Sequence, residues 1–220
     1  MTLTGCATQK ISPVLISGKT VLVQGAISSS TADEFLRAIE SHDVNRVLIA
    51  SSGGHVEAAI RMAMAIHKRG MDVEVFGHCF SSCANYIFPA GRNKSITGLG
   101  IVGWHGNMQH LLHLHRTGER PISGDWFNEV TKLAALEEEF FKTIGVDSFV
   151  CWFGKLPPYK VFNTYFLGAD DMAKFGIKNV AVRDDYALSE LLTRNAQGVE
   201  NVRFIKVDWE SLRRPSQASP

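Results

Sequence analysis

The sequence predicts an α/β domain built on a mostly parallel sheet. Two observations carry that expectation. Between residues 20 and 88, short β-rich runs alternate with runs whose apolar residues recur at helical spacing. The run 46–50 (RVLIA) is short and apolar, as a strand buried inside a parallel sheet should be. An order of strand, helix, strand, helix, strand, helix implies right-handed βαβ crossovers.

The elements follow in order. Residues 20–27 (TVLVQGAI) read as the first strand. Thr31 with Glu34 three positions on fits a capping box, and Phe35, Leu36 and Ile39 continue at helical spacing. The strand 46–50 leads into the turn Ser51-Ser52-Gly53-Gly54. Residues 55–69 then form a helix with Val56, Ala59, Ile60, Ala63 and Ile66 on one face, stopped by Gly70. Residues 72–76 (DVEVF) read as a third strand, and 81–88 as helical. A short strand pair is expected within 95–104, just before His105. Residues 106–125 read as a loop, and 125–144 as a long helix with Phe127, Val130, Leu133, Leu136 and Phe140 apolar. A short helix at 172–175 and a strand at 180–182 close the domain, and 213–220 reads as a disordered end. The expected division is a tail at 1–19, the domain at 20–185 and an extension at 186–220.

The chain has 220 residues, 45% apolar and 20% charged, which suits one soluble domain with a sizeable core. A net charge of +1 offers no basic field for nucleic acid. Leu3-Thr4-Gly5-Cys6 resembles the lipobox that ends a bacterial lipoprotein signal, so Cys6 is a candidate lipid anchor. Only five residues precede it, and a full signal would need an apolar stretch upstream. The other reading is a chance match in a tail. Cys79 and Cys83 lack metal-finger spacing, so no structural zinc is expected. They could bond to each other across a turn, or one could pair with Cys151.

Three local features carry chemistry. Ser52-Gly53-Gly54, between a strand and a helix, lets backbone amides approach a ligand, although most Gly-Gly turns are only turns. Gly77-His78-Cys79-Phe80-Ser81-Ser82-Cys83-Ala84 places Ser81 where a strand turns into a helix, with its hydroxyl at the sheet end. A plain N-cap serine is the bland alternative. His105 stands in Gly103-Trp104-His105-Gly106, and a lone histidine is usually just packed or solvated.

Taken in order, these features resemble the Clp protease proteolytic subunit and its relatives. That family has a Gly-Gly turn after a strand, then a helix, a strand and a Gly-x-x-x-Ser turn, with a histidine about two dozen residues later. Gly77 and Ser81 match the turn, and His105 the histidine. Ala90-Gly91, Phe166-Leu167 and Gly176-Ile177 extend the likeness across about residues 20–182. The resemblance implies a crotonase-like ββα-repeat domain with a protruding handle helix at 125–144. It implies a serine endopeptidase with Ser81 as nucleophile, His105 as base, and the amides of Gly54 and Ser82 as oxyanion hole, without cofactor or metal. It implies peptide or unfolded protein as substrate and assembly into homo-oligomers. The Cys-x-Ser-Ser-Cys form of the turn is more like envelope-associated relatives, which suits a periplasmic, lipid-anchored protein; the cytoplasm is the alternative.

The family's third catalytic residue is an aspartate just before the Phe166-Leu167 match. Here Thr164 falls on that position, next to Asn163, with no acid. Asp170 and Asp171 read as helix caps. Ser82 is a backup nucleophile. His105, His110, His113 and His115 lie within eleven residues, read as a mobile loop over the site rather than a metal centre. Two other functions compete with the peptidase. One is a non-catalytic binding or scaffold protein on the same fold, which the missing acid favours. The other is an acyl-CoA enzyme.

Overall fold

Alternating valines set the register of the sheet centre. In a computed structural model, which describes residues 12–183, 186 and 203–210, three adjacent strands run parallel: β2 (Thr20–Gln24), β3 (Arg46–Ser51) and β4 (Asp72–Phe80). Val21, Val47 and Val73 lie in one row across them, and Val23, Ile49 and Val75 in the next. All six are buried, because side chains two residues apart share a face. The intervening Leu22, Leu48 and Glu74 are only partly buried. The 46–50 run is therefore not enclosed on both faces as its composition suggests. It buries one face fully and half-covers the other.

Among the described residues the sheet holds nine strands in the order β1-β2-β3-β4-β6-β7-β9, with β5 pairing off β4 and β8 pairing with β5. The added strands are β1 (Val14–Ser17), β5 (Lys94–Ile96), β6 (Ile101–Trp104), β7 (Tyr165–Leu167), β8 (Val180–Val182) and β9 (Arg203–Ile205). Among the described residues, only the β1–β2 and β6–β7 pairings are antiparallel. The sheet is thus α/β and mostly parallel, as expected. It extends further than expected at both ends. Val14–Ser17 pairs with β2 from within the predicted tail, and Arg203–Ile205 pairs with β7 from within the predicted extension. Cys6 and residues 213–220 lie outside the described residues.

Helix α1 (Ser29–Ser41) starts ahead of the expected capping box. Ser28 is its N-cap and accepts from the Thr31 amide at 3.1 Å. Thr31 is buried in the first turn and donates its hydroxyl to the Ala26 carbonyl. Ala32, Phe35 and Ile39 form the buried stripe. Helix α2 (Val56–Arg69) is capped by His55, whose ring accepts from the Ala58 amide, and stops at Gly70 in the left-handed conformation.

Residues 81–88 are not a plain α-helix. A π-helical turn at Cys83–Ile87 runs into the short α3 (Phe88–Ala90), and every residue of both is buried. The span expected to be a loop also contains a helix, α4 (Met108–Arg116). It pairs with the long α5 (Gly124–Ile144), which starts and ends close to the predicted limits. A last helix, α6 (Ala169–Lys174), sits a few residues before the position expected for it.

Phe35 is fully buried between α1 and the sheet. Phe35→Ala should cost about 3–5 kcal/mol, through lost burial and the cavity left behind. Urea unfolding should show a lower midpoint with an unchanged slope.

Candidate functional site

An irregularity in β4 positions the site. Ile49 faces Val75, but Ser51 faces Cys79, so β4 carries two extra residues against β3 around Gly77. A Cβ at Gly77 would come within 3.1 Å of Ala50. Past this point β4 exchanges β5 for β6 as its neighbour, pairing His78–Phe80 with Ile101–Gly103. The strand then stops at Ser81, whose φ of 54° is uncommon for a residue with a Cβ. Its carbonyl accepts from the Asn85 amide at 2.8 Å. A Cys79–Cys83 disulfide spans this turn, and both cysteines are fully buried. The alternative pairing with Cys151 is excluded, since Cys151 is free and buried at a distance in sequence.

The Gly-Gly turn lies directly against Ser81. A Cβ at Gly53 would fall 2.8 Å from the Ser81 Cβ and 2.7 Å from the Ser82 nitrogen. A Cβ at Gly54 would fall 2.2 Å from the Ile27 carbonyl oxygen. Both positions have positive φ, so only glycine fits this approach. Gly54 faces Ile27 in an isolated parallel bridge whose hydrogen bonds run from Ile27 to the Gly53 carbonyl and from His55 to the Ile27 carbonyl. The Gly54 amide has no backbone acceptor among the described residues. The Ser82 amide likewise has no backbone acceptor among the described residues. The Ser82 hydroxyl is buried and donates to the Gly54 carbonyl at 2.7 Å. Its proton is thus engaged, which argues against the backup-nucleophile role.

His105 follows the last residue of β6. It lines, together with Gly54, Ser81 and Ser82, a cavity of about 500 Å³. The structure therefore brings all four predicted site residues to one place. Among the described residues, no hydrogen bond joins Ser81 to His105. Such contacts are often loose until substrate binds. The His105 ring is at the exposed rim. Partial removal of water, followed by the nearby Lys155 ammonium, holds its pKa below the usual histidine value, while a backbone hydrogen bond opposes the shift.

The position opposite His105 holds no acid. Strands β6 and β7 pair Gly103 with Phe166 and Trp104 with Tyr165, so the same register sets Thr164 across from His105. Thr164 makes no hydrogen bond to it, and its methyl lies against Gly103, where a Cβ would be 2.5 Å away. Asp171 accepts from Lys174 and from the Val207 amide, a structural task away from the cavity.

Three residues here escaped the sequence reading. Lys155, in a 3-10 turn (Phe153–Lys155), lines the cavity and donates to the carbonyls of Phe162, at 2.7 Å, and Asn163. Burial lowers its pKa to about 8. Nothing in the sequence marks this lysine. Glu137 is wholly buried in α5 and accepts from the Tyr86 hydroxyl and from the Met108 and Gln109 amides. It thereby holds the first turn of α4, where a carboxylate is favoured by the helix dipole. Burial raises its pKa to about 7. Its signal was readable: position 137 continues the stripe Val130, Leu133, Phe140. Asn107, the third, caps α4 by accepting from the His110 amide at 3.0 Å.

The histidine-rich span is ordered as α4. His110 and His113 pack on Trp152, whereas His115 packs on Phe127 and accepts from the Ile122 amide. Among the described residues, no three His, Cys, Asp or Glu side chains are grouped to hold a metal. No described helix is long and apolar enough to cross a membrane.

No protein-family model matches the chain, and no curated protein matches it.

Two measurements test this geometry. With the unreduced protein denatured, Cys151 should alkylate and Cys79 and Cys83 should not; alkylation of either before reduction would contradict the disulfide. The second concerns His110, whose pKa is lowered to about 4, first by burial and then by Lys155. The unfolded chain binds its proton below about 6.5, while the folded chain resists until about 4. Its contribution is therefore complete above 6.5 and is lost as pH falls towards 4. Urea midpoints between pH 7 and 4.5 should fall less steeply for His110→Phe than for the parent.

Proposed function

We propose that this chain is a serine endopeptidase of the Clp-protease type, on a crotonase-like ββα-repeat domain, acting on peptides or unfolded proteins. The observation that carries the reading is that Ser81, His105, Gly54 and Ser82 line one cavity, while the Gly54 and Ser82 amides have no backbone acceptor among the described residues.

Each residue has a defined part. The Ser81 Oγ adds to the scissile carbonyl carbon as its proton passes to His105. The carbonyl electron pair moves onto oxygen, and the Gly54 and Ser82 amides stabilise that oxyanion, at roughly 3–4 kcal/mol per donor in comparable sites. Collapse breaks the C–N bond, and His105 returns the proton to the leaving amine. Water then adds to the acyl-enzyme while His105 takes its proton. The Ser81 Oγ–C bond breaks, the serine regains the proton, and a carboxylic acid leaves.

Ser81 and His105 act as a dyad in this scheme, with no third acid. A depressed histidine pKa keeps the base neutral at pH 7 but makes it weaker. The peptide is expected to lie along the sheet edge beside the Gly-Gly turn. The lipobox-like Cys6 supports attachment in the cell envelope, and the long α5 supports assembly into homo-oligomers.

A second reading has its own support. The base faces Thr164 instead of a carboxylate, and a lysine lies nearby. This suits a binding or scaffold protein that has lost catalysis.

A fluorophosphonate probe separates the two. Peptide mapping should place the label on Ser81, with none on Ser81→Ala. His105→Ala should slow labelling by about a thousandfold or more, since the pair acts as one unit. Folded protein that takes no label would overturn the peptidase and favour the scaffold.

A further inference from the structure

The Gly53-Gly54 turn is fastened by nearly every polar atom of its backbone. Each residue brings one N–H donor and one carbonyl acceptor. The Gly53 amide donates to the Ser51 hydroxyl oxygen at 3.0 Å. The Gly53 carbonyl accepts from the Ile27 amide at 2.8 Å. The Gly54 carbonyl accepts from the Ser82 hydroxyl at 2.7 Å. Only the Gly54 N–H has no hydrogen-bond partner among the described residues.

The direction of that N–H is set by its own peptide group. The Gly53 carbonyl and the Gly54 amide share one trans peptide, in which C=O and N–H point opposite ways. The carbonyl points at Ile27, so the N–H points away from Ile27. The peptide groups on either side are held as well. Ser51 fixes the one before, and the one after is fixed by Ser82 and by the bond from the His55 amide to the Ile27 carbonyl.

Two of these anchors are side chains. Ser51 ends β3 fully buried, and Ser82 is 3% exposed. A buried hydroxyl is costly unless it is bonded, and both are bonded to this one turn. Glycine is needed for the close approach to Ser81, but it leaves the backbone loose, and the two hydroxyls remove that looseness. Ser82 also bears the second proposed oxyanion donor on its own backbone. Its side chain therefore ties one donor residue to the other.

We propose, resting on the peptidase reading, that Ser51 and Ser82 are positioning residues. Their hydroxyls hold the Gly53-Gly54 turn so that the Gly54 N–H stands ready as an oxyanion donor beside the Ser82 N–H. Donors fixed in advance need no reorganisation when the charge develops. Neither hydroxyl gives up its proton in the reaction.

The test compares threonine with valine at each position, since both side chains branch at Cβ and only threonine keeps the hydroxyl. Ser51→Thr, Ser51→Val, Ser82→Thr and Ser82→Val are each reacted with the fluorophosphonate probe. The final extent of labelling counts folded sites, and the rate reads stabilisation of the developing oxyanion. Each valine variant should label about tenfold to a hundredfold more slowly than its threonine counterpart, at equal final extent. That is less than the roughly hundredfold to thousandfold cost of losing a donor outright. Affinity for the boronic acid of Ala-Ala-Leu, whose tetrahedral adduct presents the same oxygen, should fall by the same factor. The double valine variant should lose less than the product of the single losses, because both hydroxyls act on one turn.

Equal rates for threonine and valine would overturn the positioning role and leave the peptidase standing. A valine variant that loses final extent but not rate would also overturn it, by showing a merely structural hydroxyl. Slower labelling with unmoved boronic acid affinity would do the same. Should one valine variant fail to fold, the other position carries the test. A folded parent that takes no label would overturn the peptidase and the positioning role together.

Discussion

Gly53 and Ser81 stand so close that no side chain could separate them. The missing Cβ at 53 would overlap the Ser81 Cβ, the Ser82 nitrogen and the Phe80 carbonyl. This contact joins two loops that belong to different βαβ units, one after β3 and one after β4. It exists because β4 carries two residues more than β3 and so reaches back over the Gly-Gly turn. The Cys79–Cys83 bridge and the Asn85-to-Ser81 hydrogen bond then hold the serine turn in its left-handed conformation. Backbone geometry of this kind tends to be kept only where the surroundings over-determine it. Here covalent, hydrogen-bonded and steric constraints all act on the same residue.

A second layer of support comes from the α4–α5 pair. Glu137 binds the first-turn amides of α4 and the Tyr86 hydroxyl, and Tyr86 itself lines the cavity. Tyr86 and Met108, two lining residues of the cavity, are thus tied through one buried carboxylate. Removing either partner would strand a buried polar group, which costs more than the bond itself contributes.

Much of the frame was legible in the sequence. Val21, Val23, Val47, Ile49, Val73 and Val75 announce their strands, and the stripe on α2 with Gly70 behind it announces a helix and its stop. Ser81, His105, Gly54 and Ser82 are singled out by the order and spacing of their motifs and by the family resemblance that order carries, and all four line one cavity. What was missed depends on contacts distant in sequence. Helix α4 lacks fully buried side chains and is rich in histidine, so its apolar pattern is weak; its stability comes from Asn107 and from Glu137 on another helix. Strands β1 and β9 are short and form only as additions to an existing edge. Lys155 gives no signal, since a lysine in a turn is ordinarily solvated.

The proposed reaction needs two side chains and two amides to act on one carbonyl carbon. The most direct measurement is a crystal structure of the chain inactivated by a peptide boronic acid. If the proposed mechanism holds, boron is bonded to the Ser81 Oγ, one boronate oxygen lies within hydrogen-bond distance of the Gly54 and Ser82 amides, and the His105 ring stands beside the other. Boron bound elsewhere, or a Ser81 adduct whose oxygens face solvent with His105 turned away, would contradict it.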